Sequence, residues 1–405
     1  MSSDKLTKPE TEEKPSTSSY LAQIPRVLYA PQKVFKAMAK NPKYLGPILI
    51  MILFVAAYTA SAYVFVSRGY NEQTLPAFSQ GDEWTENSTS LWTSNAPVIA
   101  ESPDCMGAGY YGNRSIEFNI TDTEKIWMQL SNIGSVNCSG PEGYKNVSFR
   151  LKPIYSDAAQ LVNASVYLFS SQADYFYYDL SRNITLFSKD TWNNFTLDLG
   201  TGNDWSSNGT NADWSNMVSL RFEITWTGNV SSTVRLDGLF FRGAFTPALK
   251  NVFNSMSSFS MFGFVQFVLR WVLLGVLLFI MTRGFGAATM WRTILVSIGF
   301  ALVTMFVHSV VNIALFSTLP TIQYPFELMG GIEGELQAAI NQVSSQTWLV
   351  SEILRYVQIA VYVWTVALCA MATRASSEVS WLKSALLATA AFFTSLVAES
   401  FILGV

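Results

Sequence analysis

Two hydrophobic rhythms share this chain. Tyr44 to Val66 runs 23 residues without a charge. About 20 residues of helix cross the hydrocarbon of a bilayer, so this stretch predicts a membrane span. From about 67 to 250 the rhythm changes to alternation. Arg221-Phe222-Glu223-Ile224-Thr225-Trp226 places Phe222, Ile224 and Trp226 on one face, and Val234 to Phe240 alternates as well. Ile116–Thr121, Lys125–Leu130, Val147–Tyr155, Ser165–Ser170, Ile184–Ser188 and Asn194–Leu199 read as further strands. Period-two runs between Gly, Asn, Asp and Ser turns predict an antiparallel β-sandwich. After Lys250 long apolar stretches return, with spans expected over about 259–282, 293–317, 347–373 and 381–403. The fold class expected is an α-helical membrane bundle of five transmembrane helices with an inserted all-β sandwich.

The ends of this plan are legible too. Residues 1–23 begin with Ser, Thr, Lys, Glu and Pro and no apolar core, which predicts a disordered tail rather than a signal peptide. Over 24–43, Pro31 suits a first helical turn, and Val34, Phe35 and Met38 share one face. Lys33, Lys36 and Lys40 line the other, as in a helix lying in the headgroup layer. The alternative is a capping helix packed on the bundle. The organisation expected is thus tail, interfacial helix, first span 44–66, extracytoplasmic sandwich 67–250, and a four-helix remainder over 251–405.

Composition agrees: half the residues are hydrophobic and 14% are charged, against about 25% in a soluble chain. A net charge of −3 leaves no basic surplus for nucleic acid. One His excludes catalysis by paired histidines. No Gly-X-Ser-X-Gly, phosphate-binding Gly loop or His-Glu-X-X-His occurs, so an enzyme is not expected.

Charge sets an orientation. The first 43 residues hold eight Lys or Arg, whereas the connection 318–346 holds none, only Glu327, Glu333 and Glu335. The positive-inside rule then places the N-terminus in the cytoplasm and 67–250 outside, with the plasma membrane as location. Ten Asn-X-Ser/Thr sites fall in that stretch alone: Asn87, Asn113, Asn119, Asn137, Asn146, Asn163, Asn183, Asn194, Asn208 and Asn229. N-linked glycans are expected on many of them. Cys105 and Cys138, both in the insert, predict a disulfide in an oxidising compartment; two free thiols are the alternative. Cys369 in span four reads as an apolar filler.

Ala30-Pro31-Gln32-Lys33-Val34-Phe35-Lys36-Ala37-Met38-Ala39-Lys40-Asn41-Pro42, Ser317-Thr318-Leu319-Pro320, and Val363-Trp364 to Arg374 leading into Trp381-Leu382-Lys383-Ser384-Ala385 resemble motifs of the Yip family of five-span membrane proteins. The resemblance covers about 24–66 and 251–405. It implies a cytosolic N-terminus and a C-terminus outside or in the lumen. The family's first connection is short, and here it holds some 180 residues. That departure implies a prokaryotic, archaeal-like surface protein rather than a Rab partner. Thr191-Trp192-Asn193-Asn194-Phe195-Thr196-Leu197-Asp198-Leu199 and Val234 to Phe241 resemble strands of carbohydrate-binding-module jelly rolls. This second resemblance implies a structural calcium site at Asp237, with Asp82 and Glu83 completing the oxygens. The plainer alternative is an Asp hydrogen-bonded to a loop.

Three sets of side chains carry candidate chemistry. Trp205 and Trp214, in a Gly/Asn/Ser-rich loop, could stack on sugar rings, or serve as core; Trp226 reads as core. In Tyr175-Phe176-Tyr177-Tyr178, alternate residues face opposite ways, so half must face a partner, a loop or water. Arg270, His308, Asn312, Glu352, Arg355 and Glu399 lie inside the spans and predict either an internally paired polar cluster or a solute path. Arg270 is expected to meet Glu352 or Glu399. The reading is an integral membrane scaffold or adaptor that displays a glycosylated sandwich. Its expected partners are the lipid bilayer, a protein or surface glycan outside, and a second copy of itself. The alternative is a transporter or channel subunit built on the polar cluster.

Overall fold

The computed structural model describes residues 23–86, 89–107, 109–156, 160–181, 188–209, 211–330, 332–377 and 379–404. Asn87, Asn183, most of the tail and most of the strand expected over 184–188 lie outside them. The chain forms two compact units. One comprises the chain up to Arg68, Leu249–Pro320 and Thr347 onward; the other comprises Gly69–Ala248 and Thr321–Gln346.

The helices, in chain order, are α1 (Gln23–Tyr29), α2 (Pro31–Lys40), α3 (Leu45–Ser67), α4 (Val252–Gly284), α5 (Trp291–Ala301), α6 (Val303–Ser317), the single turn α7 (Glu327–Gly330), α8 (Glu335–Ser377) and α9 (Trp381–Leu403). Among the described residues five stretches are long and apolar enough to cross a membrane: α3, α4, α5 with α6, α8 and α9. Their ends follow capping chemistry. The Asn251 side chain accepts the Asn254 N–H at 3.1 Å, opening α4. Ser380 caps α9, and Gly404, at φ 68°, closes it in the left-handed conformation. The core of this unit holds Phe54, Phe267, Leu274, Ile298, Phe300, Leu368 and Phe392. Small residues let its helices approach closely: a Cβ on Gly46 would lie 1.9 Å from the Phe300 ring. Val34, Phe35 and Met38 of α2 are buried in the same core, and Lys33, Lys36 and Lys40 are exposed.

The second unit is an antiparallel sandwich. Its strands are β1 (Gly69–Leu75), β2 (Trp92–Ser94), β3 (Val98–Ser102), β4 (Ser115–Val136), β5 (Asn146–Ile154), β6 (Leu161–Phe169), β7 (Tyr175–Asp179), β8 (Asn193–Asp198), β9 (Ser206–Asn208), β10 (Met217–Pro247) and β11 (Ile322–Tyr324). Two strands are far longer than the sequence suggests, because β4 joins two expected strands and β10 joins two more. At Asp122, φ is 54°, which bends β4 without ending it, and the ladder to β10 shifts register there. The long pair therefore serves both layers. One layer runs β2–β4–β10–β6–β7–β9; the other takes β3, the first half of β4, the second half of β10, β5 and β8. Phe149 of β5 meets Phe222 of β10 across the core at 4.8 Å, edge to face.

The sandwich also takes in the connection 321–346, which the sequence reads as a plain loop. β11 pairs in parallel with β1, Ile322 opposite Gly69. Phe326 packs with Tyr111 and Phe240 in a small separate core. Glu327 and Glu335 pair with Arg242 and Arg150 at 2.6 and 2.8 Å.

Candidate functional site

Strand alternation sorts β6, β7, β10 and β4 into inward apolar residues and an outward set of another kind. Ala164, Val166, Leu168, Phe176, Leu220, Phe222, Ile224, Ile126, Met128 and Leu130 enter the core. Facing outward, Tyr177 stands opposite Tyr167, Tyr167 opposite Arg221, Arg221 opposite Gln129, and Gln129 opposite Thr93. This row crosses five strands. Phe169 and Tyr175 flank it on one side, Glu223 and Trp127 on the other.

These side chains hold one another in place. Ring centroids are 5.5 Å apart for Tyr167 and Tyr175, 6.1 Å for Tyr167 and Tyr177, and 5.3 Å for Phe169 and Tyr175. The Arg221 guanidinium lies 5.2 Å from the centroids of both Trp127 and Phe169. Its Nε and Nη2 donate to Gln129 Oε1 at 2.9 and 2.5 Å, and Gln129 Nε2 donates to Ser219 at 2.9 Å. Lys125 pairs with Glu223 at 2.5 Å. Burial, then the Glu223 charge, push the Tyr167 hydroxyl above the usual tyrosine value, so it stays a neutral donor. Tyr177 remains 38% exposed. A stiff aromatic surface edged by amide, guanidinium and carboxylate groups can stack on an apolar ring face while bonding the polar groups around its rim.

The pair Trp205/Trp214 is not that surface. Trp214 is buried and stacks on Phe176 at 4.0 Å, and Trp205 packs against the same core with its indole N–H on the Asp198 carbonyl. Their loop folds inward because a Trp face buries more apolar area against Phe176 than it would in water. Trp226 is buried as well. Of the Tyr175–Tyr178 run, Phe176 is core, Tyr178 packs on Trp205, and Tyr175 and Tyr177 join the outward row.

A second polar site lies inside the sandwich. Asp82 and Asp237 are both buried and interact directly. Asp82 Oδ2 accepts the Gly238 N–H at 2.9 Å and the Thr85 hydroxyl; Asp237 Oδ2 accepts the Met106 N–H at 2.7 Å. The Oδ1 atoms of both lack a hydrogen-bond partner among the described residues. Burial, then the Asp237 charge, hold the Asp82 carboxyl well above the usual range, and burial raises Asp237 too. Two orphaned carboxylate oxygens fit a hard cation such as calcium, with carbonyls, hydroxyls or water as further ligands. Among the described residues no three acidic, His or Cys side chains converge. Glu83 is exposed and takes a hydrogen bond from Gln80 at 2.7 Å, so it does not complete this oxygen set.

The expected disulfide is absent: Cys105 and Cys138 are free thiols. Cys105 follows β3, whose end pairs with the start of β4, whereas Cys138 lies just past the end of that 22-residue strand. At about 3.3 Å per residue the strand separates them far beyond the roughly 7 Å that a bridge allows between Cα atoms. Cys138 is buried, and burial pushes its thiol up to about 12. Cys369 is buried in the helical core.

The six polar residues of the spans do not form one cluster. Arg270 Nε and Nη2 bind Glu399 Oε2 and Oε1 at 2.7 and 2.8 Å, and Gln266 adds a bond to Glu399 at 3.2 Å. Arg270, His308 and Asn312 line one cavity. Glu352 and Arg355 pair with each other at 3.7 Å on an exposed face of α8. Among the described sequons, Asn113, Asn137, Asn163, Asn194, Asn208 and Asn229 are exposed, whereas Asn119 and Asn146 are half-buried.

No protein-family model and no curated protein matches the chain. Similar solved structures include a family 11 carbohydrate-binding module from Clostridium thermocellum, bound to a β-1,3-1,4-mixed-linked tetrasaccharide. It is 14% identical, with a TM-score of 0.25, over 38% of this chain and 89% of that one. The CBM28 module specific for non-crystalline cellulose is 10% identical, with a TM-score of 0.28, over 43% of this chain and 99% of that one. At such scores neither likeness bears weight for function.

Proposed function

We propose that the protein is a membrane-anchored binding protein whose sandwich grips carbohydrate on the outward row Tyr177–Tyr167–Arg221–Gln129. The single observation that supports this reading is that row. A pyranose has apolar C–H faces and a rim of hydroxyls, which suits aromatic faces edged by Arg221, Gln129 and Glu223. The helices serve as anchor: Ile52, Ile280, Val363, Val397 and Phe401 face outward, a surface suited to lipid rather than water. We read the N-terminus as cytoplasmic, the sandwich as a glycosylated jelly roll outside the plasma membrane, and the helical unit as Yip-like. We also read Asp82 and Asp237 as holding a structural calcium ion. The scaffold role, as a monomer or homo-oligomer, follows from anchorage plus binding, without enzymatic turnover.

The full chain in nanodiscs, tested by affinity electrophoresis against soluble β-glucans, galactans and mannans, should be retarded by at least one. Tyr177→Ala and Arg221→Ala should abolish retardation while the chain still unfolds in a cooperative thermal transition. Unretarded wild type, or retardation that survives both variants, would reject the row as a glycan site and leave a protein partner for that face.

The transporter reading has one observation in its favour, the cavity beside Arg270. The core beyond it is apolar, with Leu274, Leu278, Ile294, Ile298, Leu368 and Phe392, which favours a blind site over a conduit.

A further inference from the structure

The Arg270–Glu399 pair sits where two cavities of the helical unit meet. One, of about 120 Å³, is lined by Phe54, Met305, His308, Ser309, Asn312 and Thr365. The other, a cleft of about 580 Å³, is lined by Phe262, Leu396, Val397 and Leu403, by the buried Glu399, and by Gln358 and Ser400, which are exposed at its mouth. Tyr58, Gln266, Arg270 and Tyr362 line both. Val397 is more than half exposed and Phe262 about a third, so the wall belongs to the outer surface of the unit. A buried ion pair thus lies behind an entrance that carries both apolar and polar side chains. In a bilayer, polar groups at such depth require partners.

The chemistry of this inner end restricts its occupant. Its cation and anion already neutralise each other through two short bonds, and the third guanidinium nitrogen takes no part in them. The carboxamide oxygen of Asn312 is buried without a hydrogen-bond partner among the described residues. Tyr58, His308 and Ser309 add groups that donate or accept. A charged headgroup would bring an uncompensated charge into this low-dielectric site. Hydroxyl groups both donate and accept, and satisfy such a lining without moving charge. The smaller cavity has room for about four waters at some 30 Å³ each, or for part of one polyol ring.

We infer that this cleft is a lipid site selective for an uncharged, hydroxyl-rich headgroup, that of a glycosyl diacylglycerol, whose acyl chains leave between Phe262 and Val397. The inference rests on the membrane reading above and is independent of the glycan row on the sandwich. It makes the helical unit a receptor for a sugar lipid as well as an anchor.

The test uses the full chain reconstituted into phosphatidylcholine vesicles. Flotation with the vesicles after alkaline washing checks integration; failure to float overturns the membrane reading, and this site with it. For integrated protein, native mass spectrometry compares retention of monoglucosyl diacylglycerol, phosphatidylglycerol and phosphatidylcholine. Glucolipid should be retained about tenfold over both phospholipids, and Asn312→Leu, which leaves the Arg270–Glu399 pair in place, should remove that preference. Tenfold corresponds to about 1.4 kcal/mol. Gln266→Leu, at a residue that lines both cavities and bonds Glu399, provides a second variant should Asn312→Leu unfold. Equal retention of the three lipids, a preference for the anionic one, or a preference unaltered in a folded variant would overturn the inference.

Discussion

Removing Arg242 should open the sandwich at the joint between β1, β10 and β11. The side chain is 10% exposed and serves two carboxylates: Nη2 lies 3.0 Å from Glu72 and 2.6 Å from Glu327. Glu72, 5% exposed, also accepts the N–H groups of Gly243 and Phe326 at 2.8 and 2.7 Å. Arg242→Met preserves most of the apolar stem and leaves Glu72 buried without its cation. Breaking a buried pair from one side costs about 3–5 kcal/mol. The lower end applies here, because two N–H groups still serve Glu72 and because Glu327, 26% exposed, can hydrate. About 3 kcal/mol raises the open population on the order of a hundredfold. Hydrogen exchange should report this as lost protection at Ile322–Tyr324 and Gly69–Leu75, with the β4–β10 ladder still protected. Glu72→Gln keeps an acceptor for only one of the two N–H groups, because the carboxylate serves Gly243 through Oε1 and Phe326 through Oε2, so it should also lower protection of β1 and β11, by about 1–3 kcal/mol. Unchanged protection of β11 in Arg242→Met, in a chain that is otherwise native, would refute the claim that this ion network holds 321–346 on the sandwich.

Two further outcomes follow from the buried acids and the thiols. The native carboxyl of Asp82 holds its proton to higher pH than the unfolded one, so without metal, stability is fully present below the unfolded value near 4 and falls as pH rises toward the native one; Asp82→Asn should flatten that slope, calcium should raise the melting temperature of the wild type alone, and a wild-type profile identical to the variant's would reject the coupled pair. Alkylation at neutral pH should leave Cys138 unlabelled in the native chain, its thiol being buried and pushed up to about 12, while unfolding without reductant should release three titratable thiols; two fewer would restore the Cys105–Cys138 bridge.

What the sequence shows depends on how local the cause is. Each membrane-length helix follows from its own run of apolar residues, and β5, β8 and the halves of β10 follow from their own alternation. β11 does not, since Ile322-Gln323-Tyr324 is too short to alternate and exists as a strand only beside β1, some 250 residues away. The outward row was half visible. Alternation requires part of Tyr175–Tyr178 to point away from the core, but only the register shows that Tyr167, Arg221 and Gln129 stand beside it. For Trp205 and Trp214 the sequence left a sugar platform and a core role both open, and the inward loop decides for the core, because composition marks a loop and says nothing about which way its aromatics turn. The disulfide failed on the same ground: an even count of cysteines carries no distance, whereas the length of β4 does.

If the row binds carbohydrate and the helices anchor the chain, as proposed, the two properties support each other. Its side chains are fixed by their neighbours before any ligand arrives, with Tyr167 between Tyr175 and Tyr177, and Arg221 between Trp127 and Phe169. Little side-chain entropy then remains to be lost on binding, at about 0.5–1.5 kcal/mol per side chain otherwise immobilised. Even so, a flat row of a few rings offers one sugar limited contact, and a millimolar site corresponds to only about 4 kcal/mol. Anchorage changes that limit without adding any contact. Copies confined to one surface meet a repeating polymer together, and once one copy has bound, the next binding event occurs at a high effective concentration. Stiff, individually weak sites gain most from this arrangement, because tightening each one would slow release from a long polymer while the number of copies can vary freely.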